Sequence, residues 1–176
     1  ASCAPATSKY PEHPDTPMAR ELLLLRHAKS DWNQDTSDFD RPLNTRGQRD
    51  AARLGRWAHA QKLQPDVLLS SPARRAAQTA EALCTEIGFA PADITWDERI
   101  YLAPTHVLLD VLADLPAQAR QVILISHNPG LEDLLLYLAP ASEAQRDKDK
   151  LLTTATLARL NLPGHAWKLQ RGIATL

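Results

Sequence analysis

Two histidines in this chain stand just past apolar runs, the first of them beside an arginine: Arg26-His27 follows residues 22–25, and His127 follows residues 122–125. A third apolar run, 66–70, leads into Ser70-Ser71-Pro72-Ala73-Arg74-Arg75. Imidazole and guanidinium groups gathered in one place make a site for an oxyanion. Arginine offers a planar fork of donors that matches phosphate oxygens. A neutral imidazole with one nitrogen facing phosphorus is a nucleophile. Phosphoryl transfer asks for little more: hold the group, neutralise its equatorial oxygens and place a nucleophile in line. Flanking arginines disfavour the protonated ring and keep it competent near neutral pH. The second ring nitrogen should donate to a backbone carbonyl, which fixes the tautomer.

The elements that must deliver these groups follow from the hydrophobic pattern. Four consecutive apolar residues cannot alternate between a buried and a solvated face. Residues 22–25 and 122–125 therefore read as central strands of a parallel sheet covered on both sides. Positions beyond such strands lie at the carboxyl edge, where open α/β folds build ligand sites. After the first strand comes a polar loop at 31–41, then a long helix at 43–63 with Asn44 or Thr45 as its cap. A strand at 66–70 precedes a helix carrying Ala76, Thr79, Ala80, Leu83, Cys84 and Ile87 at helical spacing, which Gly88 ends. A short strand at 94–97, a helix at 107–115 and the strand at 122–125 follow. Pro129 suits the first turn of a helix whose inner face is Leu131, Leu134, Leu135 and Leu138. Residues 141–150 read as a charged connector, and 154–162 and 166–171, flanking Pro163-Gly164, as an antiparallel hairpin. The expected architecture is α/β, a three-layer αβα sandwich with a mostly parallel central sheet. Helix starts at Arg74 and after Asn128 would add free N–H groups and partial positive charge to the same edge.

A length of 176 residues suits one domain, and 44% apolar and 23% charged residues are ordinary for a globular protein. The net charge of -1 gives no long-range pull towards nucleic acid or anionic lipid, so neither is an expected partner. Residues 1–19, with Pro5, Pro11, Pro14 and Pro17 and few large aliphatics, read as a disordered or extended tail ahead of a single domain at 20–176. Met18 stands just before the first strand, and what precedes it reads as an extended start or an added remnant. Cys3 and Cys84 fit neither a disulfide framework nor a zinc site, and Cys84 falls on an apolar stripe. No apolar stretch approaches the roughly 20 residues that span a bilayer, and residues 1–17 lack the pattern of a secretory signal. A cytoplasmic location is expected.

The segment Arg26-His27-Ala28-Lys29-Ser30-Asp31-Trp32-Asn33 resembles the first signature of the histidine phosphatase, or phosphoglycerate-mutase-like, superfamily. Residues 71–80 resemble its second motif and residues 126–134 its third. Asp40-Arg41-Pro42-Leu43, followed by Arg46-Gly47, resembles the SixA-type phosphohistidine phosphatase branch. The resemblance implies that His27 is the nucleophile that becomes phosphohistidine and that Arg26, Arg75 and His127 form the phosphate pocket. It implies a polar phosphate contact at Asn33. Asp97-Glu98-Arg99-Ile100-Tyr101 resembles an acidic stretch of the mutases and implies Glu98 as proton donor, with Asp31, Asp38 and Asp40 as rivals. Within a helix one step turns a side chain about 100°, so Arg74 and Arg75 cannot aim alike; Arg74 is left to border the entrance.

The remaining histidines, His13, His59, His106 and His165, have no motif around them and read as surface residues. The four tryptophans read as packing residues, with Trp32 close enough to line the site. No metal ligand set or cofactor is expected. The resulting expectation is a metal-independent phosphatase with a covalent phosphohistidine intermediate, acting on phosphohistidine of a protein. A small phosphomonoester as substrate is the alternative, and a phospho-recognition module without turnover is the non-enzymatic one.

Overall fold

The computed structural model describes residues 20–33, 35–139, 151–164 and 167–176. The expected tail at 1–19 and connector at 141–150 lie outside them. Strands are β1 (Arg20–Arg26), β2 (Val67–Ser70), β3 (Thr95–Trp96), β4 (Gln121–Ser126) and β5 (Leu157–Leu162). Helices are α1 (Thr45–Ala60), α2 (Arg74–Ile87), α3 (Thr105–Ala113) and α4 (Gly130–Leu138). The sheet order is β3-β2-β4-β1-β5; β5 runs antiparallel to β1 and the other pairings are parallel.

Alternate residues of the central strands feed two cores. Leu22, Leu24, Val122 and Leu124 meet Leu108 and Leu112 of α3 and Leu131, Leu134 and Leu138 of α4. Leu23, Leu25, Ile123 and Ile125 meet Ala58 of α1 and Ala76, Ala80, Leu83 and Cys84 of α2. Both faces of the sheet are covered at its centre, which is why the runs 22–25 of β1 and 122–125 of β4 are apolar throughout, whereas the edge strand β5 alternates, with Arg159 and Asn161 exposed. The αβα sandwich is therefore as expected.

Two local signals work as read. Asn44 caps α1, its side chain accepting from Gly47 N at 2.8 Å, and Gly88 closes α2 with φ +73°. At Gly47 a Cβ would lie 2.0 Å from the carbonyl oxygen of Lys29, so only glycine lets α1 seat against the loop leaving β1.

Two expectations need correction. The expected hairpin partner begins at residue 166, which lies outside the described residues; 167–171 form no strand against 157–162, β5 pairs with β1, and Asn161 of β5 bridges to Thr175. The segment after Pro163-Gly164 is drawn inward, where Trp167 is buried and donates from Nε1 to Ala119 O at 3.2 Å. That burial displaces the alternation a hairpin would need. The tryptophans are the second correction: Trp167 packs, but Trp32, Trp57 and Trp96 are 71%, 45% and 42% exposed.

Candidate active site

Register brings the two histidines together. Arg26 of β1 pairs with Ser126 of β4, so the next residue of each strand, His27 and His127, emerges at one level of the carboxyl edge. Their ring centroids are 5.0 Å apart. On the other side of β4, Ser70 pairs with Ile125, which carries Ser71 and the start of α2 to the same edge. A pocket opens there, lined by Arg26, His27, Arg41, Arg75, His127 and Asn128, among others.

The ring of His27 is buried and held in one tautomer. Nδ1 lies 2.8 Å from the carbonyl oxygen of Ala28, and Nε2 receives the Nε–H of Arg75 at 3.3 Å. Donation at Nδ1 and acceptance at Nε2 describe a neutral imidazole whose one lone pair is held by Arg75, itself a residue lining the pocket. Burial pushes its pKa down to about 4; the Ala28 carbonyl opposes this, and the charges of Arg75, Arg26 and Arg41 reinforce it. The loop carrying His27 is itself pinned, for Thr79 Oγ1 accepts from Ala28 N at 3.1 Å.

Arg75, in the first turn of α2, is buried, whereas Arg74 is exposed. Its Nη2 donates to Asp38 Oδ2 at 3.0 Å, and the Tyr101 hydroxyl donates to the same oxygen at 2.7 Å. Arg41 Nη2 donates to Asp38 Oδ1, and its guanidinium lies 3.4 Å over the ring of Trp32. Burial raises the pKa of the Asp38 carboxyl, but the Tyr101 hydrogen bond and the charges of Arg75 and Arg41 outweigh it and hold the group below its ordinary value. The site thus contains its own carboxylate.

His127 is buried more deeply. Its Nε2 lies 2.8 Å from Ser71 Oγ. Burial first, then the neighbouring His27 and Arg75, push its pKa down to about 2. Its Nδ1 is buried with no partner among the described residues, and so are Arg26 Nε, Arg41 Nε and Nη1, and Asn128 Oδ1. Buried polar atoms without partners are rare, and each costs about 1–3 kcal/mol. Four nitrogens, three of them arginine donors, on residues that line one pocket mark a place suited to an external acceptor with several oxygens.

Arg26, His27, Arg75 and His127, distant in sequence, are therefore brought together. Asn33 and Glu98 are exposed, and neither lines the pocket. From the acidic stretch it is Tyr101 that reaches the site, through Asp38 and by an edge contact with His127 at 5.5 Å. Sequence reasoning missed Arg41 as a pocket residue; its only signal was its place in Asp40-Arg41-Pro42-Leu43. Among the described residues no group of three His, Cys, Asp or Glu could hold a metal ion, and no helix is long and apolar enough to cross a membrane.

The sequence profile of the Histidine phosphatase superfamily (branch 1) matches residues 22–100. A candidate phosphohistidine phosphatase SixA from Agrobacterium tumefaciens superposes with a TM-score of 0.74 at 30% identity, over 81% of this chain and 92% of that one. A second, from Nakamurella multipartitia, gives 0.74 at 28% identity, over 92% and 96% of the two chains. An uncharacterized protein of Mycobacterium tuberculosis is 31% identical over 157 residues, which are 86% of this chain and 96% of that protein. With two histidines and two arginines gathered at the carboxyl edge of the same sheet, the chain belongs to the histidine phosphatase superfamily, in its SixA-type branch, and is a phosphatase.

Proposed function

We propose that the protein removes phosphoryl groups from phosphohistidine on other proteins, with His27 as nucleophile. The reading is carried by one observation: a neutral His27, its Nε2 held by Arg75, lines a pocket whose residues hold four buried side-chain nitrogens without a partner among the described residues. Nε2 of His27 forms a bond to phosphorus as the phosphorus–nitrogen bond of the substrate breaks. The departing imidazole takes one proton from solvent water at the open mouth of the pocket and leaves as a neutral ring. Water then attacks the phosphohistidine at position 27, releasing inorganic phosphate and restoring the ring.

Arg26, Arg41, Arg75 and the N–H of His127 neutralise the equatorial oxygens during both transfers, where the charge is spread. The ring of His27 stays neutral at physiological pH, so no proton has to be removed before attack. An imidazole leaving group needs less acid assistance than an alkoxide, which suits a pocket that Glu98 does not line. A protein substrate is supported by the mouth of the pocket, where Trp32 and Leu102 are 71% and 53% exposed, and by the likeness to candidate SixA proteins.

The test is release of phosphate from a phosphohistidine-bearing carrier protein, run beside small phosphomonoesters so that kcat/KM values are compared directly. The carrier should be preferred, activity should survive chelation, and acid quenching should trap an acid-labile phosphoenzyme. His27→Ala should lose at least about 1,000-fold. Activity retained in that variant refutes the mechanism; preference for the small esters refutes the substrate assignment.

A further inference from the structure

Ser71 has no role in the chemistry described so far, yet its side chain is fully buried against His127. Its hydroxyl has one hydrogen and two polar neighbours. The backbone N–H of Ala73 lies 3.3 Å from Oγ and can only donate. Nε2 of His127, at 2.8 Å, is the other. A hydroxyl oxygen that receives the Ala73 hydrogen has its own hydrogen to give, and Nε2 is the acceptor within reach. A neutral imidazole that accepts at Nε2 carries its hydrogen on Nδ1. That Nδ1 is the ring nitrogen left buried without a protein partner on a residue that lines the pocket.

We propose that Ser71 is a positioning residue: its hydroxyl fixes the tautomer of His127, so that Nδ1–H serves as a neutral donor to the phosphoryl group. The inference rests on the phosphatase reading above, since it takes the phosphoryl group as the acceptor. The opposite tautomer would strand the Ser71 hydrogen and turn a lone pair towards the phosphoryl oxygens. Where His27 is fixed by a backbone carbonyl, His127 is fixed by a side chain, so the second imidazole can be detuned by mutation without touching the main chain.

The test uses the full chain with 15N-labelled histidine. In the wild type, NMR should show His127 protonated at Nδ1 and unprotonated at Nε2. In Ser71→Ala this bias should disappear, and kcat/KM on a phosphohistidine carrier should fall roughly tenfold to hundredfold, the range seen when an orienting partner is removed. In a His127→Gln background, Ser71→Ala should cost nothing further, because a residue that acts through another has no effect once that other is gone. A wild-type spectrum with the hydrogen on Nε2, or an undiminished loss in the His127→Gln background, overturns the proposal. The wild-type spectrum decides even if Ser71→Ala fails to fold. Failure of the phosphatase reading shows separately, as activity retained in His27→Ala, and leaves the spectrum unchanged.

Discussion

Two clefts among the described residues treat charge in opposite ways. The cleft beside β2 and β3 contains Asp66, Asp97, Arg99 and Asp114. Its groups satisfy one another: Arg99 donates to Asp97 and Asp114 at 2.7 and 2.9 Å, and Asp66 accepts from the backbone N–H groups of Arg120 and Gln121. The cleft at the ends of β1, β2 and β4 is short of partners, with Arg26, Arg41 and His127 each holding a buried nitrogen that meets none among the described residues. Charge density alone does not separate the two. The deficit does, because a folded chain tolerates buried orphan donors only where something else completes them.

The contrast can be broken by mutation. Replacing Arg75 should matter most among the pocket cations: Arg75→Lys keeps the charge but loses the fork that reaches His27 and Asp38 together. Activity is expected to fall about 100- to 1,000-fold, the cost of one oxyanion donor, in steady-state assays of phosphate release. Arg41→Ala removes two of the orphan donors along with the stack on Trp32 and should cost about tenfold, chiefly as a raised KM for the phosphorylated carrier.

Acid should reveal the two buried imidazoles. In the unfolded chain both titrate near 6.5, whereas in the folded protein they titrate at about 4 and about 2. Below pH 6.5 the unfolded chain binds more protons, so stability must drop as pH falls. The slope is about 1.4 kcal/mol per imidazole per pH unit until the folded pKa is reached. Urea unfolding at pH 7 and pH 5 measures it, and His127→Gln should remove one imidazole's share. A flat profile would mean the rings are not buried as neutral groups. At the small end, Arg99→Ala in the self-satisfied cleft should leave activity unchanged and barely move the thermal midpoint. A large loss there would erase the distinction between the clefts.

How much of this was legible beforehand depends on how local each signal is. Residues 22–25 and 122–125 announced buried parallel strands because burial on both faces leaves no polar alternation. Asn44 and Gly88 announced helix ends because caps are local chemistry. Motif order placed Arg26, His27, Arg75 and His127 at one edge. The misses are nonlocal. Trp167 turns inward because Ala119, 48 residues away, offers it a carbonyl, and no window of sequence reveals that. Arg41 is buried by its stack on Trp32 and its bond to Asp38, a fold within its own loop that leaves no periodicity to read. Asn33 and Glu98, expected from the family's pattern, are exposed and stand outside the pocket lining, Glu98 in a 3-10 turn at Glu98–Ile100; their roles stay expectations for mutation to test.

The carboxylate of Asp38 gives the resting cradle a resident counter-ion. Arg75, Arg41 and Tyr101 all spend hydrogen bonds on it. A visitor such as chloride that displaces Asp38 trades one negative charge for another and brings a single centre with which to meet the orphan nitrogens. A phosphoryl group arrives with a charge of about -1.5 to -2 and three oxygens, enough to compete for the arginines and meet the orphan donors in the same event. The loop bearing Asp38 is thereby expected to favour a multivalent, many-oxygened anion over common salt, and competition by chloride in steady-state assays should accordingly be weak.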